Sequence, residues 1–363
     1  MLDRRCFSQF GNQVARFCLL ITLGVVAAIL GQAQDAMLWN RLYVTNLGSA
    51  TVSVIDLNER KVISTIPVGY GPTGMAVSPN LERVYVGNIW SGTISVIATQ
   101  TNTVETTIPI PSWWGTAAPF GLAMTPDGNQ IFVSNLSDGT IRVVSTKSNT
   151  VIATITEAYD WALRYIVMAP NGEYAYAIGT GDGKISVIRV SDYKVVAKIL
   201  NLPAARHMAV TPDGSRMYVT SDKHHKLYVI DAANYSLIDT ISFPTGSGTI
   251  TVDIDPTGKF ALVSNFLGQV SMVDINPQSP AYNQIIGRVP PVSFYQYCIA
   301  IAPDGKTAYL SNQADRGGSP NSINLIDIDP DSPTPNTIFA SIPVGTQPWG
   351  IAIVKQSPPN LNQ

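Results

Sequence analysis

The chain is dominated by short runs in which apolar and polar residues alternate, the period of half-buried strands rather than of helices. Met75-Ala76-Val77-Ser78, Arg83-Val84-Tyr85-Val86, Thr93 to Ile97 and Thr103 to Ile108 form one such group of four. Turn signals separate the first two runs of a group, as in Pro126-Asp127-Gly128, Pro170-Asn171-Gly172, Pro212-Asp213-Gly214 and Pro303-Asp304-Gly305. With the Pro of this turn as a ruler, Pro79, Pro126, Pro170, Pro212, Pro256 and Pro303 are spaced by 47, 44, 42, 44 and 47 residues. A period in the forties carrying four strands predicts a propeller blade. The strand after the turn recurs at Leu42, Val84, Ile131, Ala175, Met217, Ala261 and Ala308, which makes seven. The chain therefore begins with a second strand and ends with a first, Gly350 to Val354. The prediction is an all-β, seven-bladed propeller closed when its C-terminal strand completes the N-terminal blade, which removes an exposed sheet edge.

Composition narrows the alternatives. In 363 residues, 13% are charged and 45% hydrophobic, with 28 Gly and 25 Pro. The chain is too apolar for disorder and too rich in Gly and Pro for long helices. A formal charge of −2 gives no general drive toward nucleic acid or anionic lipid.

The first 33 residues read as an address rather than structure. Arg4, Arg5 and Arg16 precede an uncharged run from Phe17 to Leu30, followed by Gly31-Gln32-Ala33. This is the layout of a secretory signal peptide, and the run is short for a membrane span of about 20 residues. The expected division is residues 1–33 as signal and 34–363 as a single propeller domain, periplasmic or extracellular. Arg4-Arg5-Cys6-Phe7 also fits part of a twin-arginine signal, so the export route stays open. Cleavage would leave Cys298 without a disulfide partner and a net charge of −4.

Tyr43-Val44-Thr45-Asn46 resembles the motif of the YVTN β-propeller repeats, and Tyr85-Val86-Gly87-Asn88 is close to it. Val133-Ser134-Asn135, Val263-Ser264-Asn265 and Leu310-Ser311-Asn312 are weaker copies, and Ser53-Val54-Ile55-Asp56 followed by Val62 to Ile66 also fits. The resemblance covers about 320 residues and is to exported YncE-like and surface-layer-like propellers. It implies the fold; for activity it implies a choice among binding proteins, haem d1-handling proteins and lactonase-like enzymes.

Departures from the repeat mark a candidate site. Counting back from the ruler Pro, position five is Gly74, Gly121 and Gly350 in three blades, but Tyr165, His207, Thr251 and Cys298 in the other four. Position six reads Thr73, Phe120, Arg164, Arg206, Ile250, Tyr297 and Trp349. These residues open the innermost strands at the face where the fourth-to-first loops emerge. Those loops carry Trp113, Trp114, Tyr159, Trp161, Phe294 and Tyr295, and second-to-third turns on the same face carry Trp90 and Phe266. The expectation is an aromatic channel mouth that binds a small molecule or protein by ring stacking, with Arg164 and Arg206 orienting an anionic or polar group. Filling of the core between blades is the plainer explanation for any single Trp. Asp253 stands at position three, otherwise Ala or Val, and Arg206 is its expected partner.

Other chemistry is thinner. His207, His224 and His225 fall in one blade, the last two reading as solvated turn residues, and no metal-ligand spacing supports them. Asp327, Asp329 and Asp331 fail the calcium-loop pattern at its Gly and Glu and read as turn-capping. Gly179-Thr180-Gly181-Asp182-Gly183-Lys184 reads as a hairpin rather than a phosphate loop. No G-x-S-x-G elbow occurs. The expectation is a monomeric binding propeller with no required cofactor. A cofactor handler (haem-type) or lactonase-like enzyme using His207, Asp253 and Tyr165 is the alternative, and single-stranded nucleic acid binding the third.

Overall fold

A computed structural model describes residues 40–112, 115–158, 162–181, 183–291, 296–313 and 320–354. The signal-peptide reading of residues 1–33 lies outside them, as does most of the turn between Gln313 and Asn321.

The strands form seven four-stranded antiparallel sheets, each one blade of a ring. Blades two to seven take their strands consecutively, and their innermost strands are Pro72–Val77, Pro119–Met124, Leu163–Met168, Ala205–Val210, Thr249–Ile254 and Gln296–Ile301. Blade one joins both ends of the chain. Its innermost strand, Pro348–Val354, pairs with Arg41–Asn46 from Arg41 opposite Val354 to Asn46 opposite Pro348. The seven-bladed ring and its closure are thus as the repeat predicts.

Alternation is met as written. The second and third strands of the blades are almost wholly buried, while the outermost strand alternates exposed and half-buried positions, as in Lys61–Pro67, except in blade five, where Leu237–Asp239 are all exposed. Side chains from facing blades interleave into apolar clusters; Tyr43, Val52 and Val54 of blade one meet Val84, Val86 and Ile97 of blade two. The outermost strands share a register shift, at Val54/Ile55 in blade one and Val96/Ile97 in blade two. A bulge there twists the free edge away from other chains.

The sequence motif has a mechanical meaning. Thr45 accepts a hydrogen bond from the Gly350 amide at 2.7 Å and donates to the Thr73 carbonyl of the next blade at 2.8 Å. Its hydroxyl thus satisfies an amide freed by the irregular start of the inner strand and pins two blades together. Ser134 does the same between Gly121 and Arg164, and Thr220 between His207 and Ile250. In blade two, where Gly87 has no hydroxyl, Thr73 itself donates to Phe120 O at 3.2 Å. The Asn that ends the motif ties its own hairpin: Asn46 donates to Thr51 and Ser53, and Asn88 to Thr93 and Ser95.

Asp56, Asp231, Asp274 and Asp327 end third strands and accept from amides of the following turns, at 2.8–3.1 Å. Gly179 pairs with Lys184 across a hairpin, as read from sequence.

Candidate functional site

Inner strands begin at one end of the channel, so positions six and five of every blade converge there. In blades one to three position five is glycine because the next blade leaves no room. A Cβ on Gly350 would lie 2.5 Å from the Thr73 carbonyl oxygen, and one on Gly121 2.6 Å from that of Arg164. Blades four to seven carry Tyr165, His207, Thr251 and Cys298 at the same place.

Phe120, Tyr165, His207, Tyr297, Cys298 and Trp349 line one cavity of about 150 Å³, together with the backbone around Gly74, Gly121 and Gly350. The rings also touch one another. Tyr165 meets His207 edge-on at 4.7 Å and Phe120 at 5.3 Å; Phe120 meets Trp349 at 5.8 Å, and Trp349 stacks on Tyr297 at 4.3 Å. Such contacts each add about 0.5–1.5 kcal/mol beyond burial. The mouth is a collar of rings around a small cavity, with Phe120 buried and the others half-buried.

The arginines sit on this collar. Arg164 lies over the Phe120 ring at 5.5 Å, and its guanidinium makes no hydrogen bond or ion pair with a described residue. Arg206 lies over Phe266 at 5.2 Å and Tyr297 at 5.9 Å. It pairs with Asp222 at 2.9 Å, not with Asp253 as expected. The reason is depth. Position three lies three residues farther along the strand than position six, about 10 Å at the rise of a β-strand. Asp253 is held instead by two amides, Ile254 at 2.9 Å and Ile301 of blade seven at 2.7 Å. Burial outweighs these bonds and pushes its carboxyl up to about 6.

The same burial acts on the other groups. His207 is pushed down to about 4 by desolvation, with Arg206 adding to the effect, so it is neutral at physiological pH. Its Nδ1 faces the Val252 amide at 3.5 Å, which places the ring proton on Nε2. Burial pushes the Cys298 thiol up to about 12 and raises the Tyr165 phenol. The Cys298 sulfur approaches the Ile299 carbonyl at 3.8 Å, and nothing activates it as a nucleophile.

Trp113, Trp114, Trp161 and Tyr295, with Tyr159 and Phe294, lie outside the described residues. Trp90 is 58% exposed at the rim. His224 is exposed, as expected, but His225 is not a free turn residue: its Nε2 lies 3.1 Å from the Gly246 amide and its Nδ1 3.0 Å from the Gly248 amide. The ring lodges between these two amides and anchors the loop into blade six. Among the described residues, no three His, Cys, Asp or Glu side chains are grouped to hold a metal ion.

Sequence reasoning missed the role of Asp222 and its neighbour Lys223. They sit in the second-to-third turn of blade five, which overhangs position six of blades four and five. A charged pair in a turn gives no repeat signal; only the ring places it beside Arg206.

A model of the family "Lactonase, 7-bladed beta-propeller" matches residues 39–194. That segment contains Phe120, Arg164 and Tyr165; His207, Asp253, Tyr297, Cys298 and Trp349 lie beyond it. No curated protein matches the chain in sequence. Among solved structures, Kuenenia stuttgartiensis hydrazine synthase is similar with a TM-score of 0.69 and 20% identity, over 80% of this chain and 93% of that one. A protein of unknown function from Desulfotomaculum acetoxidans DSM 771 is similar with a TM-score of 0.72 and 16% identity, over 88% of this chain and 100% of that one. At such identities the likeness is one of fold.

Proposed function

We propose that the chain is a binding propeller, related to the exported YVTN-type repeats, whose channel mouth holds a small planar ligand. The observation that supports this is the collar itself: five rings from blades one, three, four, five and seven around one cavity, flanked by two arginines. A flat ligand inserted among Phe120, Tyr165, Tyr297 and Trp349 gains stacking area, and the Nε2 proton of neutral His207 offers a hydrogen bond. Affinity comes from the rings and orientation from the polar rim. We read the protein as a monomer delivered outside the cytoplasm, without a resident cofactor.

The test is a titration with benzamide and benzoate, which share a ring and differ in charge, followed by calorimetry. Trp349→Leu is expected to weaken both at least tenfold while moving the melting midpoint little. Absence of saturable binding by either, or loss of folding in proportion to loss of binding, overturns the reading and makes the collar a plug of the core.

The family match favours lactone hydrolysis as a second reading, with His207 and Tyr165 polarising the carbonyl and Asp253 too deep to take part. Turnover of an aldonolactone in a pH-stat, abolished by His207→Gln, supports it; rates equal to buffer dismiss it.

A further inference from the structure

Five of the junctions between neighbouring inner strands carry a side-chain hydrogen bond. Thr45, Thr73, Ser134 and Thr220 supply four of them. Asp253 reaches the Ile301 amide between blades six and seven, deeper in the channel. Between blades four and five the motif position is Ile178, fully buried in an apolar cluster with Met208, Met217 and Val219. Among the described residues no side chain pins these two inner strands, and they meet through the Tyr165–His207 ring contact.

A second cavity of about 400 Å³ opens above this unpinned junction. Its charged walls are Arg164 from blade four and Arg206, Asp222 and Lys223 from blade five, with His224 and the Thr180-Gly181 turn completing it. Among the described residues three permanent cations face one carboxylate there, on a protein whose overall charge is negative. Two of them have unused donors. Among the described residues the Arg164 guanidinium has no polar partner, and the buried Arg206 Nε has none although its Nη1 holds Asp222. A buried donor left unsatisfied is unfavourable, and a guanidinium fork matches the paired oxygens of a carboxylate or phosphate.

We infer that the cleft between blades four and five is an oxyanion site, taking the carboxylate or phosphate of a small molecule through Arg164 and Arg206. Lys223 adds charge at the rim. Asp222 is the internal competitor: it holds Arg206 in place while the site is empty and repels the incoming anion. The cavity exceeds a lone inorganic anion, so the group is carried on a larger body that extends along the blade-five turn. The site stands on its own residues and does not require a ring in the collar.

The experiment is calorimetric titration of the whole chain with inorganic phosphate and with citrate at low ionic strength, using chloride as control. Saturable binding of either is expected, weakened at least tenfold in Arg164→Gln and tightened several-fold in Asp222→Asn. Preference between the two probes identifies the phosphate or carboxylate class. No saturation by either probe, unchanged affinity in Arg164→Gln, or weaker binding in Asp222→Asn overturns the inference. The opposite signs of the two variants separate this from loss of folding, and phosphate or citrate binding that is unchanged in Trp349→Leu keeps it separate from the collar.

Discussion

Blades one to three and blades four to seven solve the same packing problem differently. In the first group glycine at position five lets each inner strand press its backbone against the next blade, and at that position the mouth is lined by main chain, with rings only from position six, Phe120 and Trp349. In the second group the same position carries a phenol, an imidazole, a hydroxyl and a thiol; Tyr165, His207 and Cys298 line the channel, while Thr251 is buried beside the His207 ring. The fold thus assigns closeness to one arc of the ring and chemistry to the other. Both arcs keep the outer three strands alike, so the difference is made by one residue per blade.

The comparison can be broken first at the seam. A chain ending before Pro348 leaves Arg41–Asn46 without its inner neighbour. It is expected to lose cooperative unfolding altogether by calorimetry; an unchanged midpoint would mean that the ring closes otherwise. Next, Gly121→Val should destabilise the chain by about 3 kcal/mol through overpacking, measured by denaturant unfolding. A tolerated Val would deny that closeness is what the glycine arc provides.

The chemistry arc is sharpened by pH. Asp253 has its folded pKa raised to about 6 from 3.8, so its contribution is full below about 3.8 and is lost as pH rises through 6. His207 has its folded pKa lowered to about 4 from 6.5, so its contribution is present above 6.5 and is lost as pH falls through 4. Each amounts to about 2–3 kcal/mol, and between pH 4 and 6 the two slopes oppose. Asp253→Ala should make stability climb from pH 4 to 6.5, and His207→Gln should make it fall over pH 4 to 6. Parallel profiles in both variants would contradict the burial assigned to these groups.

Thr220→Val, which strands the His207 amide and the Ile250 carbonyl, should lower stability by about 2 kcal/mol. Ile178→Thr at the unpinned junction should stay within about 1 kcal/mol. Least visible in stability is Cys298: with its pKa pushed up to about 12, alkylation at pH 8 should run on the order of 1,000-fold slower in the folded chain than after denaturation. Rapid labelling of the native protein would show the thiol to be open.

Much of this was legible before the fold was seen. Period, turn residues and the displaced last strand led to seven blades and their closure, because a repeat states its rule many times. The collar was legible for the same reason: Phe120, Tyr165, His207, Tyr297, Cys298 and Trp349 stand out at two adjacent positions of the repeat. What stayed hidden was partnership across blades. Arg206 was matched to Asp253 by chain logic, yet its carboxylate came from a turn sixteen residues on. The role of Thr45 and Ser134 was hidden too, since the repeat that makes them recognisable does not say which neighbour they hold.

The pairing of Arg41 with Val354 also orders events in time. These partners are separated by 313 residues, and synthesis at about 5–20 residues per second puts tens of seconds between them. For that interval the opening strands wait with a free edge, while later blades are completed in sequence. The last residues of the propeller act as a latch, and the moment of their arrival decides when the whole molecule becomes resistant to unfolding or capture by other chains.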